Sequence, residues 1–228
     1  MKENKWVLAL IAIMLIAAGW YVYPSLFTDK QAVGTQAKSQ EYEQALQLFK
    51  DGKPDQAKTL LEQGIASEPG EGKYHFALGN IARQQNKMDE ALKQYEQAVQ
   101  KSPRLVEAYN NLTAVLMIQN KMDDALKTAE AGLSQEPAFK DLLFKKGQLL
   151  YVKKEYGQAV SILQPLTSDK AYAEAYRFIG LSLVQEQKLE AAVQQFKLYL
   201  QQLPESAPGR TEIEKMTAEL ETHLKTSK

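Results

Sequence analysis

Residues 77–103 read ALGNIARQQNKMDEALKQYEQAVQKSP, and residues 111–137 read NLTAVLMIQNKMDDALKTAEAGLSQEP. Pro103 closes the first stretch and Pro137, thirty-four residues later, closes the second. Both set a small residue near the start, an Asn-Lys-Met step in the middle and Ala-Leu just after it. A fixed period of this length marks stacked repeats, each too small to bury a core by itself. Extended outward, the register places Ala45, Gly79, Thr113, Gly147 and Gly180 at spacings of 34, 34, 34 and 33, and Ala57, Ala91, Ala125, Ala159 and Ala192 follow them by twelve residues each. Five units result: 38–71, 72–105, 106–139, 140–172 and 173–206. Pro69, Pro103, Pro137 and Pro204 close four of them; the fourth is one residue short and has no closing proline.

Each unit reads as two helices. In the second, His75, Leu78, Gly79 and Ala82 share one helical face, and Ala91, Tyr95 and Ala98 share a face of the next. The polar Gln-Gln-Asn-Lys step separates them, and Asp89 follows as an acidic first-turn residue. A small residue in the first helix facing alanine in the second is expected to let the pair approach closely, so that a bulkier side chain there overpacks the contact. Two units depart from the pattern. The first carries Glu41 and Gln44 where its first helix calls for apolar residues, and the fourth has Pro165 inside its second helix, which predicts a shortened or bent helix.

These registers resemble the tetratricopeptide repeat, a helix-turn-helix unit with small, aromatic and proline positions at these offsets. The resemblance covers 38–206 and implies an all-α fold, an α-solenoid of about five repeats, whose business is binding other proteins or peptide segments. Members that grip a chain-terminal carboxylate use cations and asparagines at positions matching Phe76, Asn80, Asn111, Asp141 and Lys145. Asn80, Asn111 and Lys145 keep that pattern, whereas Phe76 removes one cation and Asp141 reverses another, so the clamp is incomplete. The two asparagines retain the capacity to bond a peptide backbone, since each amide both donates and accepts.

The flanks are different in kind. Trp6 to Phe27 carries no charge, and at roughly 1.5 Å per residue this stretch spans about 33 Å, enough for a bilayer core. Residues 1–27 therefore read as an N-terminal transmembrane anchor, with aromatic Trp6, Trp20, Tyr21 and Tyr23 at headgroup level. A cleaved signal peptide, processed near Ala17–Gly19, is the alternative, against which the apolar run continues past that point. Lys2 and Lys5 give a slight bias toward a cytoplasmic N-terminus, so the expected location is a single-pass membrane protein with its repeats outside the cytoplasm, in the periplasm of a bacterial envelope. Residues 28–37 read as a polar linker. At the other end, 207–228 places Ile213, Met216, Leu220 and Leu224 on one side of a helix, which predicts a cap over the last repeat.

Composition narrows the function. Twenty-eight basic and twenty-eight acidic residues are interleaved, leaving a formal net charge of zero and no basic patch for nucleic acid. With no cysteine and two histidines, neither set beside a serine or carboxylate, the sequence offers no catalytic constellation, no metal spacing and no phosphate loop, so no enzyme activity, cofactor or small-molecule substrate is expected. What remains is a binding face on the first helices. One turn from the packing face lie Phe76, Asn80 and Arg83, then Asn110, Ala114 and Met117, then Phe144, Gln148 and Tyr151, then Arg177, Leu181 and Val184. From these and the clamp positions, Phe76, Asn80, Asn111, Met117, Phe144, Lys145, Tyr151 and Arg177 are the candidate partner-binding residues, rings burying side chains and amides fixing a backbone. The expectation is a membrane-anchored, chaperone-like assembly scaffold of the cell envelope; the alternative is a structural adaptor that uses its outer faces and leaves the groove unused.

Overall fold

A computed structural model describes residues 40–226. The expected anchor, the linker and residues 227–228 lie outside the described residues, and among the described residues no helix is long and apolar enough to cross a membrane. The described chain is all-α, with eleven α-helices and no strand. It divides after Pro69 into two compact units.

The described part of the first unit is a helical pair, α1 (40–50) and α2 (Pro54–Ser67). Glu41 and Gln44 are exposed on α1, and the helix is carried instead by its other face, where Ala45 is buried. Pro54 starts α2 in the first turn, where its missing N–H costs nothing.

The second unit holds nine helices: α3 (Gly72–Gln84), α4 (Met88–Lys101), α5 (Val106–Ile118), α6 (Met122–Gln135), α7 (Lys140–Val152), α8 (Tyr156–Leu163), α9 (Glu174–Gln185), α10 (Leu189–Gln202) and α11 (Arg210–Thr226). Each packs against its neighbours in sequence, so the core runs down the stack. One apolar cluster joins Ala82, Tyr95, Leu112, Val115, Ala125 and Leu149, and another joins Leu163, Ile179, Leu183, Phe196, Tyr199 and Ile213.

The turn between the helices of a pair repeats with the sequence period. Gly52, Asn86, Asn120, Lys154 and Gln187, again 34, 34, 34 and 33 apart, all have left-handed φ of 73°, 59°, 58°, 64° and 61°. The residue after each donates its backbone N–H to a carbonyl five positions earlier, as Lys87 does to Ala82 and Glu155 to Leu150, both at 2.9 Å. This closes the first helix by a Schellman cap and turns the chain into the second. Asparagine and glycine tolerate that backbone; Lys154 and Gln187 take it at a cost, held by the same bonds.

Inside a pair the contact differs from the sequence expectation. The small residue of the first helix meets a large residue sixteen positions on, four beyond the alanine. A Cβ on Gly79 would stand 2.5 Å from the Tyr95 ring, one on Gly180 2.5 Å from Phe196, and one on Gly147 2.4 Å from Leu163. The alanines at the +12 position are buried at the start of the second helix, where Ala91 bonds back to the Lys87 carbonyl at 2.9 Å. In the third unit the sizes are exchanged: Thr113 is the larger member and Ala129 the smaller, and both are fully buried.

Pro165 acts as its chemistry dictates. The α8 helix stops at Leu163 after 8 residues, whereas α4, α6 and α10 run for 14. Two 3-10 turns, Gln164–Ser168 and Lys170–Tyr172, replace its last half. At the end of the chain α11 packs on α10 and buries Ile213, with Met216 and Leu220 against the same cluster. Arg210 fixes its start by donating from Nη1 to the carbonyls of Leu200 (2.8 Å) and Leu203 (2.9 Å), the open carbonyl end of α10.

Candidate functional site

Within the second unit α5 touches α7 and α7 touches α9, while no two consecutive second helices pack comparably. The first helices are therefore the more crowded side of the stack.

Two groups of candidate residues gather there. The first is polar. Asn80 Oδ1 accepts from the Tyr95 hydroxyl and from Asn111 Nδ2, each at 2.8 Å, so an amide from α3 and one from α5 share a ring from α4. That leaves Asn80 Nδ2, a donor, and Asn111 Oδ1, an acceptor, without a partner among the described residues, and a peptide unit offers the complement of both. Tyr95 is fully buried in its ring, and burial pushes its phenol up, opposed by Arg83 beside the hydroxyl and by Asn111. Lys145, on α7, donates to Asn110 Oδ1 at 2.8 Å. Burial lowers its ammonium from the usual lysine value; Asp141 opposes that shift and Arg83 adds to it.

The second group is aromatic. Phe144 packs on Tyr172 at 5.8 Å and on Phe178 at 6.1 Å, and Tyr151 packs on Phe178 at 5.6 Å and on Tyr156 at 5.8 Å between ring centroids. These edge-on and tilted contacts are the arrangement ring quadrupoles favour. Tyr172 arrives from the 3-10 segment and is anchored by its hydroxyl, which donates to Asp141 at 2.5 Å; burial first and that carboxylate second push its phenol up to about 12.

The remaining candidates serve more as frame. Phe76 lies 6.0 Å from the Tyr95 ring and, with Met117, packs against the apolar cluster of α3 to α7. Arg177 stacks over Phe178 at 4.5 Å and donates through Nε to Glu174 at 2.6 Å, and Glu174 also accepts the Tyr199 hydroxyl. A cleft of 260 Å³ opens beside it, lined by Leu181, Glu212 and Met216 among others. Phe178, which touches Phe144 and Tyr151, was not in the candidate set; Asn110, which bonds Lys145, and Arg83, beside Tyr95, were read on the binding face but left out of that set. Phe178 stands in the same repeat position as Asn111 and Lys145, so following that column one unit further would have found it. Among the described residues no group of histidine, cysteine or carboxylate side chains is placed to hold a metal ion.

A family model for the tetratricopeptide repeat matches residues 42–105. Searching curated protein sequences gives no match. Solved structures of similar fold include PilW, described as a widely conserved type IV pilus biogenesis factor, at 17% identity over 81% of this chain and 86% of that one, with a TM-score of 0.66. PilF of Pseudomonas aeruginosa is 18% identical over 84% of this chain and 92% of its own, with a TM-score of 0.64. YrrB, described as a repeat protein with an unusual peptide-binding site, is 16% identical over 73% and 86%, with a TM-score of 0.65. Residues 42–105 thus match the tetratricopeptide repeat, and the likeness to these solved structures is one of fold.

Proposed function

We propose that this protein is a membrane-anchored scaffold of the cell envelope that assists assembly by holding an extended segment of a partner protein across its first helices. The observation that carries the reading is the pair of open amide edges on Asn80 and Asn111, half-buried beside the Tyr95 hydroxyl. Such edges match a backbone C=O and N–H, and Phe144, Tyr151 and Phe178 offer apolar area for a side chain of the same segment. Anchoring is supported by the uncharged stretch from Trp6 to Phe27, and Lys2 and Lys5 close before it give a slight bias toward repeats on the periplasmic side of a bacterial inner membrane. PilW and PilF share the fold, and pilus biogenesis is one assembly process a protein of this kind serves.

A photo-crosslinking amino acid placed in the full-length chain tests the reading. At Ala114 or Gln148, on the first-helix face, it is expected to capture a partner; at Lys127, on the exposed face of α6, it is not. Capture from Lys127 alone would make the chain an adaptor working through its outer surface. Carbonate extraction of membranes tests the anchor: the intact chain should stay in the pellet, and a mature form beginning near Trp20 would show it to be cleaved.

A further inference from the structure

The cap continues the repeat register. Ile213 and Thr217 of α11 follow Ile179 and Leu183 of α9 by thirty-four residues, and all four are buried. Packed as a sixth first helix, α11 carries Glu212 thirty-four residues after Phe178. At the joint between α7 and α9, Phe178 fills the space by packing on Phe144 at 6.1 Å and on Tyr151 at 5.6 Å. At the last joint a carboxylate stands in the place of that ring, and a cleft of 260 Å³ is left open between α9, α10 and α11. Its apolar wall is Leu181, Ile213 and Met216, and its polar wall is Glu174, Arg177 and Tyr199. The polar wall is already closed on itself. Glu174 accepts from Arg177 Nε at 2.6 Å and from the Tyr199 hydroxyl, and the Arg177 guanidinium lies over the Phe178 ring at 4.5 Å. Glu212, exposed on the first turn of α11, has no ion pair or hydrogen bond among the described residues. Glu174, Arg177 and Glu212 thus leave the cleft with a single negative charge in excess, beside apolar surface.

We propose that this cleft receives the basic side chain, lysine or arginine, of a partner protein, with its methylene stem against Leu181 and Met216 and its charge at Glu212. A basic side chain has both parts the cleft calls for, an apolar stem and a charged tip. The volume suits a single side chain, since sites for whole small molecules begin at roughly 300 Å³. The charge suits a single cation, which brings the cleft to neutrality, whereas an acid would meet Glu174 and Glu212. The proposal goes beyond the groove reading and stands without it, because neither Asn80 nor Asn111 lines the cleft.

Panning the full-length chain, held in nanodiscs, against a displayed random dodecapeptide library tests this. The expected result is enrichment of peptides that carry Lys or Arg next to an apolar residue. In a synthetic copy, replacing that basic residue by norleucine keeps a stem and removes the charge, and should weaken binding about tenfold, the usual worth of one charge-assisted contact. Glu212→Gln should abolish the basic preference, and Glu212→Lys should turn it toward Asp or Glu, with circular dichroism checking that the helices persist. In protein labelled at the methionine methyl carbons, the Met216 resonance, assigned through Met216→Leu, should shift on adding the peptide. Enrichment without a basic preference overturns the proposal, as does a Met216 resonance that stays in place. A basic preference lost in the Asn80→Ala, Asn111→Ala pair and kept in Glu212→Gln places the cation in the groove and overturns it too. The reverse pattern, kept in the asparagine pair and lost in Glu212→Gln, places the cation in the cleft.

Discussion

The third and fourth repeats share a period and solve the same packing problem with different parts. In the third, α6 runs its full 14 residues and the corresponding positions hold Thr113 and Ala129, both fully buried. In the fourth, α8 has 8 residues and the contact is Gly147 on Leu163. The break at Pro165 is tolerated because α8 reaches Leu163, the residue that fills the glycine notch, before it stops. What a repeat must keep is thus a matched pair sixteen residues apart, large against small in either order; the length of helix beyond that pair is dispensable. The two junctions differ as well. Lys153 of the fourth unit is ion-paired to Asp123 in the first turn of α6, and Gln119 of the third donates to Asp89 of α4 at 2.9 Å. One period on, the acid is replaced by Gly157 and the donor by Glu186, which turns to Lys188 at 2.8 Å instead. The staple that ties the third unit to the second and the fourth to the third is absent from the joint after the fourth.

The sharpest way to break this comparison is to fill the notch. Gly147→Leu should cost about 3 kcal/mol, because the added atoms fall within the Leu163 side chain, whereas the neighbouring Gln148→Leu should shift stability by about 0.5 kcal/mol. Equal shifts in thermal melting would refute the register. Exchanging the pair comes next in size: Leu163→Ala alone should lose about 3 kcal/mol, Gly147→Thr alone a similar amount, and the double variant, which copies the third unit, should recover about 1 to 2 kcal/mol of their sum in a mutant cycle. Strict additivity would show that the two residues do not compensate.

Much of this was legible beforehand and some was not, for identifiable reasons. The alanine register located every helical pair, because period is a global signal that survives local substitution. Pro165 announced a shortened helix. The partner of each glycine was misread, since a contact between two helices depends on the crossing geometry as well as on periodicity, and the nearest conspicuous alanine drew the assignment. The left-handed turn was visible at Asn86 and Asn120, whose side chains favour it, and invisible at Lys154 and Gln187, where only the repeat position demands it. In the site, single residues were readable but their coupling was not. Nothing in the sequence says that Asn80 and Asn111 bond one another directly beside a hydroxyl from α4, or that Lys145 turns to Asn110. Such pairs form across helices from different units.

Two smaller tests sharpen the picture. Lys154→Gly should stabilise the protein by about 1 kcal/mol by removing the strain of a left-handed lysine, raising the melting temperature by about 2 to 4 °C. The same change at exposed Lys153, which has an ordinary backbone and an ion pair to lose, should lower it. Last, Gly157→Asp with Glu186→Lys installs the missing staple. A gain of about 0.5 kcal/mol in chemical denaturation is expected, the modest worth of an exposed pair at a helix start. A gain as large from Gly157→Ala alone would assign the effect to helix propensity.

The matched pair has an evolutionary corollary. Both members lie within one unit, on either side of its internal turn, so duplicating, deleting or transplanting a segment cut at its outer borders carries the fit along intact. A crossover in the turn at Asn120 or Lys154 does not: joining α5 to α8 sets Thr113 against Leu163, two bulky partners, and joining α7 to α6 sets Gly147 against Ala129, two small ones. Recombination is therefore free at one set of loops and penalised at the other, and the gene is divided into exchangeable cassettes whose borders the packing has drawn.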